Sequence, residues 1–271
     1  VTEADPRQRP GTGQEEAARL LRGELAVVGL LREASNVTLR VRLSDGTDAV
    51  YKPVRGERPL RDFPPGTLAA REVAAAQVSD AGGWGLVPPT VLREGPMGAG
   101  MVQRWIPHAA EQQDRWLTAC RPADLPAGWL PVVRGEDERG RDVVVAHPDD
   151  PQLLSVAVLD TVLNNADRKG AHLLADPDGR LWGVDHGLVL HTEPKLRTVL
   201  WGFAGRPLPA PERDRLTRVR EALAGGLAAA LGSLLSGPEV TALRDRVEEL
   251  LEVGRLPQPP PDRYPLPWPL W

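Results

Sequence analysis

The sequence predicts an α+β fold in two lobes: β-rich to residue 106, helical over 107–256, with a Pro- and Trp-rich tail at 257–271. Three observations carry this. Strand-like runs LAVVGLLRE, VTLRVRLSD and TDAVYKP follow one another early, separated by turn residues Ala34, Ser35 and Asn36 and by Asp45-Gly46. Helix-like runs dominate the second half, at 151–164, 211–235 and 238–253. Between the first helix and the other two, apolar segments at 159–174 and 181–190 flank ADPDGR, whose Asp-Gly step signals a hairpin.

The elements follow in order. Residues 1–13 are polar with Pro and Gly and read as a loose leader. QEEAARLLR, 14–22, places acids early and arginine late, as a short helix does. Residues 38–43 alternate like a half-buried strand. REVAAAQVSDAGG, 71–83, has helical composition and a glycine stop. LVPPTVLRE and AGMVQRWIP read as extended. Residues 108–150 hold the Pro-rich RPADLPAGWLP and the charged RGEDERGR, and read as loop or insertion. Gly225, Gly226 and Gly232 weaken the helix at 211–235. The tail carries seven prolines between 257 and 269, so it reads as extended, with Tyr264, Trp268 and Trp271 docked on the body.

Composition narrows the function classes. At 41% hydrophobic and 26% charged, the chain has the balance of a soluble globular protein. A net charge of −4 and the absence of a long basic run argue against a nucleic-acid partner. No apolar run reaches membrane-spanning length, and no signal-peptide pattern is present. The single cysteine, Cys120, suits a reducing compartment, so a cytoplasmic protein is expected. Oligomeric state is not legible.

The hairpin would bring Asp167 and Asp185 to one mouth, with His172 near them. Two converging carboxylates suit one base or orienting group and one magnesium ligand, as in phosphoryl transfer. Of 33 basic residues only Lys52, Lys169 and Lys195 are lysine. A lysine kept against an arginine bias fits a need for a compact point charge. Lys52 ends a strand-like run, and Lys169 lies in the polar turn with Asp167 and Arg168. Asp185, His186 and His191 lack the spacing of ligands on one helical face, so zinc is not expected. Trp84, Trp105, Trp182 and Trp201 read as core or cleft walls.

YKP (51–53), REVAAAQVSD (71–80), VPPT (87–90), QRWIPH (103–108), NADRKGAHLL (165–174) and VDHGL (184–188) occur in this order. Together they resemble the type II phosphatidylinositol 4-kinases, especially the plant members. More distantly they resemble the wider phosphatidylinositol 3-/4-kinase and HipA-type kinase superfamily. The whole chain also resembles uncharacterised kinase-like proteins of high-GC bacteria. The resemblance spans roughly 25–190 and implies a bilobal protein-kinase-like, phosphatidylinositol-kinase-like fold that binds ATP and Mg2+ or Mn2+ between its lobes.

It implies roles residue by residue. Lys52 would hold the α- and β-phosphates, and Glu72 would keep Lys52 aimed, although Glu57 could take that place. Gln103, Arg104, Trp105 and Ile106 would form the hinge beside adenine. The turn at 33–37 would cover the phosphates through Ser35, Asn36 and backbone N–H groups. Asp167 would be the catalytic aspartate, flanked by Arg168 and Lys169, with Arg168 orienting the loop. Asp185 would hold the metal. The family carries asparagine as a metal ligand where this chain has His172, and imidazole is a poor magnesium ligand. The implied activity is γ-phosphate transfer to a hydroxyl of a protein, small molecule or phosphoinositide. The alternatives are a nucleotide-binding pseudokinase or nucleotidyl transfer to protein. The acylated cysteine cluster of some lipid kinases is missing, which weakens lipid as acceptor.

Overall fold

A computed structural model of the chain describes residues 12–31, 36–108 and 115–271. The leader, except for Thr12 and Gly13, lies outside the described residues, as do the first three residues of the turn at 33–37. Helix α1 (Thr12–Arg22) precedes an antiparallel five-stranded sheet of order β1-β2-β3-β5-β4. Its strands are β1 (Leu25–Leu30), β2 (Leu39–Leu43), β3 (Asp48–Pro53), β4 (Thr90–Gly95) and β5 (Gly98–Arg104). Helix α2 (Leu68–Gly82) lies between β3 and β4 in the chain.

Alternation along β3 decides where the cleft lies. Ala49, Tyr51 and Pro53 are buried, and Ala49 and Tyr51 pack with Leu39, Val41, Leu43, Val91, Val102 and Leu20 of α1. With a period of two, Lys52 must face the opposite side. Its register partner Met101 is on that side and packs against Ala69 and Val73 of α2. Glu72 of α2 therefore meets Lys52.

Helix α2 is apolar almost all round because it is covered almost all round, by the sheet and by the helices that follow. Thr67 provides no side-chain cap; the Glu57 carboxylate instead accepts the N–H groups of Leu68 (3.2 Å) and Ala69 (2.9 Å). Gly83, with φ of 72°, closes the other end.

Residues 108–150 are not the loop expected. They carry a three-stranded antiparallel sheet, β6 (Thr118–Cys120), β7 (Trp129–Glu136) and β8 (Asp142–Pro148), of order β6-β8-β7. The charged run is the β7–β8 turn, where Asp137 takes the N–H groups of Arg139 and Arg141. A bulge near Pro131 and the solvated residues of β7 hide the strand pattern.

Helix α3 (Pro151–Leu163) starts on an Asp150 cap with Pro151 following. Strands β9 (Leu173–Ala175) and β10 (Leu181–Gly183) form the expected hairpin. The expected helix at 211–235 is divided at Gly225 into α4 (Ala210–Ala224) and α5 (Gly226–Leu231). Helix α6 (Gly237–Val253) has a Ser236–Glu239 capping box. The large core joins α2, α3, α4, α6 and the hairpin. Among the described residues no helix is long and apolar enough to cross a membrane.

The tail is extended, and of its three aromatic residues only Trp271 lies against the body, over Gly170. Trp268 is 80% exposed and Tyr264 60%, whereas Leu256 and Leu266 are buried.

Arg71 bolts α2 to the helical half. It is 1% exposed, pairs with Glu239 of α6 and donates to the Val189 carbonyl at 2.8 Å. Replacing it strands a largely buried carboxylate, so Arg71→Met should lower stability by roughly 3 kcal/mol. Arg71→Met with Glu239→Gln should lose clearly less. Urea unfolding of both variants checks this; equal losses would show that the pair is not the cause.

Candidate active site

Lys52 stands at the centre of the cleft. Its Nζ lies 2.6 Å from Glu72 Oε1 and 2.7 Å from Asp185 Oδ1. Glu72 is buried, and its second oxygen accepts the His186 N–H at 2.9 Å. The expected alternative for Glu72 does not arise, because Glu57 caps α2. Burial disfavours the Lys52 ammonium, yet Asp185 and Glu72 outweigh it and hold its pKa above the ordinary lysine value. Burial pushes Glu72 up, against the pull of Lys52. For Asp185 burial also acts upward, but Lys52 overrides it and keeps the carboxyl well below the usual range.

Asp185 adopts a left-handed conformation, φ of 59°, uncommon outside glycine and tolerated by Asp. Its carboxylate spans two neighbours: Oδ1 meets Lys52, and Oδ2 lies 3.4 Å from His172 Nε2. The side chain is 49% exposed, so it remains open to the cleft.

His172 ends a short 3-10 turn, Gly170–His172. Its Nδ1 faces the Lys169 N–H at 3.5 Å. A neutral ring in that setting carries its proton on Nε2, toward Asp185. Burial lowers its pKa to about 4, so it is uncharged at neutral pH. Metal ligation through Nε2 would require the proton to move to Nδ1 and would give up the Lys169 contact.

Asp167 follows the C-terminus of α3. Asn164 ends that helix in a left-handed conformation, φ of 53°. Asn165 donates to Asp160 Oδ1 (2.9 Å) and accepts the Asp167 N–H (3.0 Å), which fixes the turn. The Asp167 carboxylate lies 3.3 Å from Lys169 Nζ. Burial raises its pKa to about 6, against the opposing charge of Lys169.

Arg168 does not reach the cleft. It is fully buried and forks onto Asp160 at 2.8 and 2.9 Å. It also donates to the Val184 carbonyl at 2.9 Å and contacts His186 Nε2 at 2.7 Å. Its place is a positioning one, joining α3, the Asp167 turn and the Asp185 loop. Asp160 and His186 were not legible as parts of this assembly. Asp160 carried a signal: a lone carboxylate within the apolar helix LLSVAVLDTVL must find a buried partner.

The expected hinge residues divide. Gln103 is buried and donates to Thr90 Oγ1 at 2.8 Å. Arg104 pairs with Glu16 at 3.1 Å and stacks on Trp182. Both side chains are therefore engaged with the fold. The Trp105 N–H goes to the Asp48 carbonyl at 3.1 Å, Arg40 lies over the Trp105 ring, and Ile106 is buried. Asn36 Oδ1 accepts the Arg58 N–H at 2.9 Å, which leaves its amide donors unassigned. Ser35 lies outside the described residues.

Among the described residues no group of three or more ligating side chains could hold an ion unaided. The open Asp185 carboxylate fits a magnesium-type site in which phosphate oxygens and water supply the remaining ligands, whereas the His172 ring beside it is not an oxygen ligand.

The raised Asp167 pKa gives a pH prediction. A carboxylate with a pKa near 6 is progressively protonated below that pH, so a function needing it as base fails there. Carboxyl 13C titration of the nucleotide-free protein should place Asp167 at about 6, and the acid limb of kcat/KM should coincide. A titration at the ordinary aspartate value would contradict the burial argument.

No protein-family model matches the chain. The Golgi casein kinase with Mn and ADP bound superposes with a TM-score of 0.55 at 13% identity, covering 93% of this chain and 80% of that one. Another structure of the Golgi casein kinase gives 0.54 at 12% identity, covering 93% and 75%. Hydra Fam20 with sugar gives 0.50 at 12% identity, covering 88% and 86%. The fold is thus kinase-like and bilobal; at these identities the likeness concerns the fold alone. Protein Rv2133c of Mycobacterium tuberculosis (strain ATCC 25618 / H37Rv) is 46% identical over 265 residues, 94% of this chain and 95% of that protein. The chain belongs to the family of Protein Rv2133c.

Proposed function

We propose that this protein is an ATP-dependent kinase that transfers the γ-phosphate to a hydroxyl group. The carrying observation is Lys52, held by Glu72 and within 2.7 Å of Asp185. Such an arrangement presents a fixed ammonium to phosphate oxygens and an exposed carboxylate to a divalent ion. Lys52 grips the α- and β-phosphates, and Asn36 covers them from the β-rich half. Backbone groups around Trp105 and Ile106 meet the adenine. Asp185, with His172 beside it, would hold magnesium or manganese, and the ion when bound would supply charge stabilisation to the transferring phosphoryl group.

Asp167 orients the acceptor hydroxyl and takes its proton late in transfer. Lys169, next to it, places a second positive charge on the acceptor side. Most of the rate comes from positioning and electrostatics. The resemblance to type II phosphatidylinositol 4-kinases makes a phosphoinositide one acceptor class, beside protein and small-molecule hydroxyls. Cys120 is unpaired, which suits a reducing compartment, and we place the protein in the cytoplasm.

One observation favours a second reading. His172 stands beside Asp185 where the resembling kinases carry an oxygen ligand, which fits a pseudokinase that binds nucleotide without transfer.

Thermal shift separates the roles. ATP with manganese or magnesium should raise the melting temperature of the wild type by linkage. Asp185→Ala should abolish the metal-dependent part, while Asp167→Ala keeps it and loses transfer. His172→Asn should move the preference from manganese toward magnesium. Equal loss of binding in both aspartate variants would show the roles misassigned. No shift with any nucleotide at millimolar concentration would contradict the kinase reading, and transfer that appears only in His172→Asn would favour the pseudokinase.

A further inference from the structure

The turn that carries Asp167 is braced from outside by the tail. Residues 165–168 run beside 197–199 through three backbone bonds: Arg197 N–H to Asn165 O (2.9 Å), Arg168 N–H to Arg197 O (3.0 Å) and Val199 N–H to Arg168 O (3.1 Å). The tail supplies acceptors to both segments. The Pro265 carbonyl takes the Thr198 N–H at 3.2 Å and the Trp201 indole N–H at 2.8 Å. The Leu270 carbonyl takes the Gly170 N–H at 2.8 Å.

Packing follows the same line. Leu266 is 4% exposed and sits in a small core with Leu196 and Trp201, against which Leu270 also packs. Gly170 is buried between two side chains. A Cβ there would lie 3.0 Å from Leu117 and 3.5 Å from Trp271. The tight contact is with Leu117, while Trp271 covers the other side of the glycine at ordinary van der Waals distance. Gly170 lies three residues beyond Asp167, and its N–H has no partner in the helical half other than the tail carbonyl.

We infer that residues 265–271 are a positioning strap for the Asp167 turn, and that the strap, rather than the helical half alone, fixes where that carboxylate stands. The strap acts on the acceptor side. Lys52, Glu72 and Asp185 are held by β3, α2 and Arg168, and among the described residues no hydrogen bond or ion pair joins the tail to them. The consequence for catalysis rests on the proposed kinase function; the mechanical claim does not.

Two full-length variants test it. Leu266→Asp places a charge in the anchor core and should release the strap. Trp271→Ala uncovers Gly170 and leaves that core intact, so it serves even if the first variant folds poorly. In each, amide exchange over 165–170 and 197–199 should quicken, by about tenfold or more in Leu266→Asp, while β3 and α2 keep wild-type protection. In transfer assays kcat should fall by about tenfold with KM for ATP changed less than about twofold, the signature of an effect confined to the reacting geometry.

Unchanged exchange over both segments in folded variants would overturn the strap. Faster exchange with undiminished kcat would reduce it to a structural tie and overturn the positioning claim. Wild-type protein that transfers no phosphate refutes the kinase reading instead, and the exchange data then still decide whether the tail braces the turn.

Discussion

A guanidinium sealed from water must place its donors on protein acceptors, and Arg168 meets that constraint in the one way that assembles the site. Its fork on Asp160 fixes it to α3, while its bonds to the Val184 carbonyl and His186 fix the Asp185 loop to the same point. The backbone of Arg168 is meanwhile bridged to Thr198. Three chain segments distant in sequence thus share one buried charge. Removing that charge would leave the Asp160 carboxyl without its guanidinium partner in an apolar helix, an expensive state that keeps the arrangement single-valued. The Asp185 loop inherits its position from it, and the Asp167 turn shares that anchor with the tail that braces it.

Lys52 is the second fixed point, and it arises from simpler physics. Strand alternation puts Tyr51 and Pro53 into one core and Lys52 on the opposite face with Met101. Met101 anchors α2, and the helical turn then delivers Glu72. His186 links the two fixed points, since its backbone N–H meets Glu72 and its ring meets Arg168. The β-rich and helical halves are therefore joined through polar contacts at the cleft itself, and Arg71 reinforces the joint from behind.

What was legible in the sequence follows from locality. The β9–β10 hairpin could be read because Asp-Gly specifies its own turn, and Lys52 because its neighbours alternate. The sheet at 118–148 could not, since Pro131 and a largely solvated β7 erase the period that marks a strand. Glu57 as a helix cap, Arg71 as a bolt and the Leu270 carbonyl as a partner of Gly170 depend on contacts across long stretches of chain. A backbone acceptor leaves no residue-type signal at all. The tail was legible only in part: tryptophan suggested docking, and Trp271 does lie over Gly170, but Leu266 and two carbonyls carry the rest while Trp268 faces solvent.

On the proposed kinase function, the cleft around Lys52 transfers a terminal phosphoryl group. Parallel incubations with γ-labelled and α-labelled ATP, with manganese or magnesium and a fractionated cell extract as acceptor source, test it most directly. Stable label is expected on an acceptor from γ-labelled ATP alone, lost in both Lys52→Met and Asp167→Ala. Label arriving from α-labelled ATP, or γ-label undiminished in Lys52→Met, would contradict it.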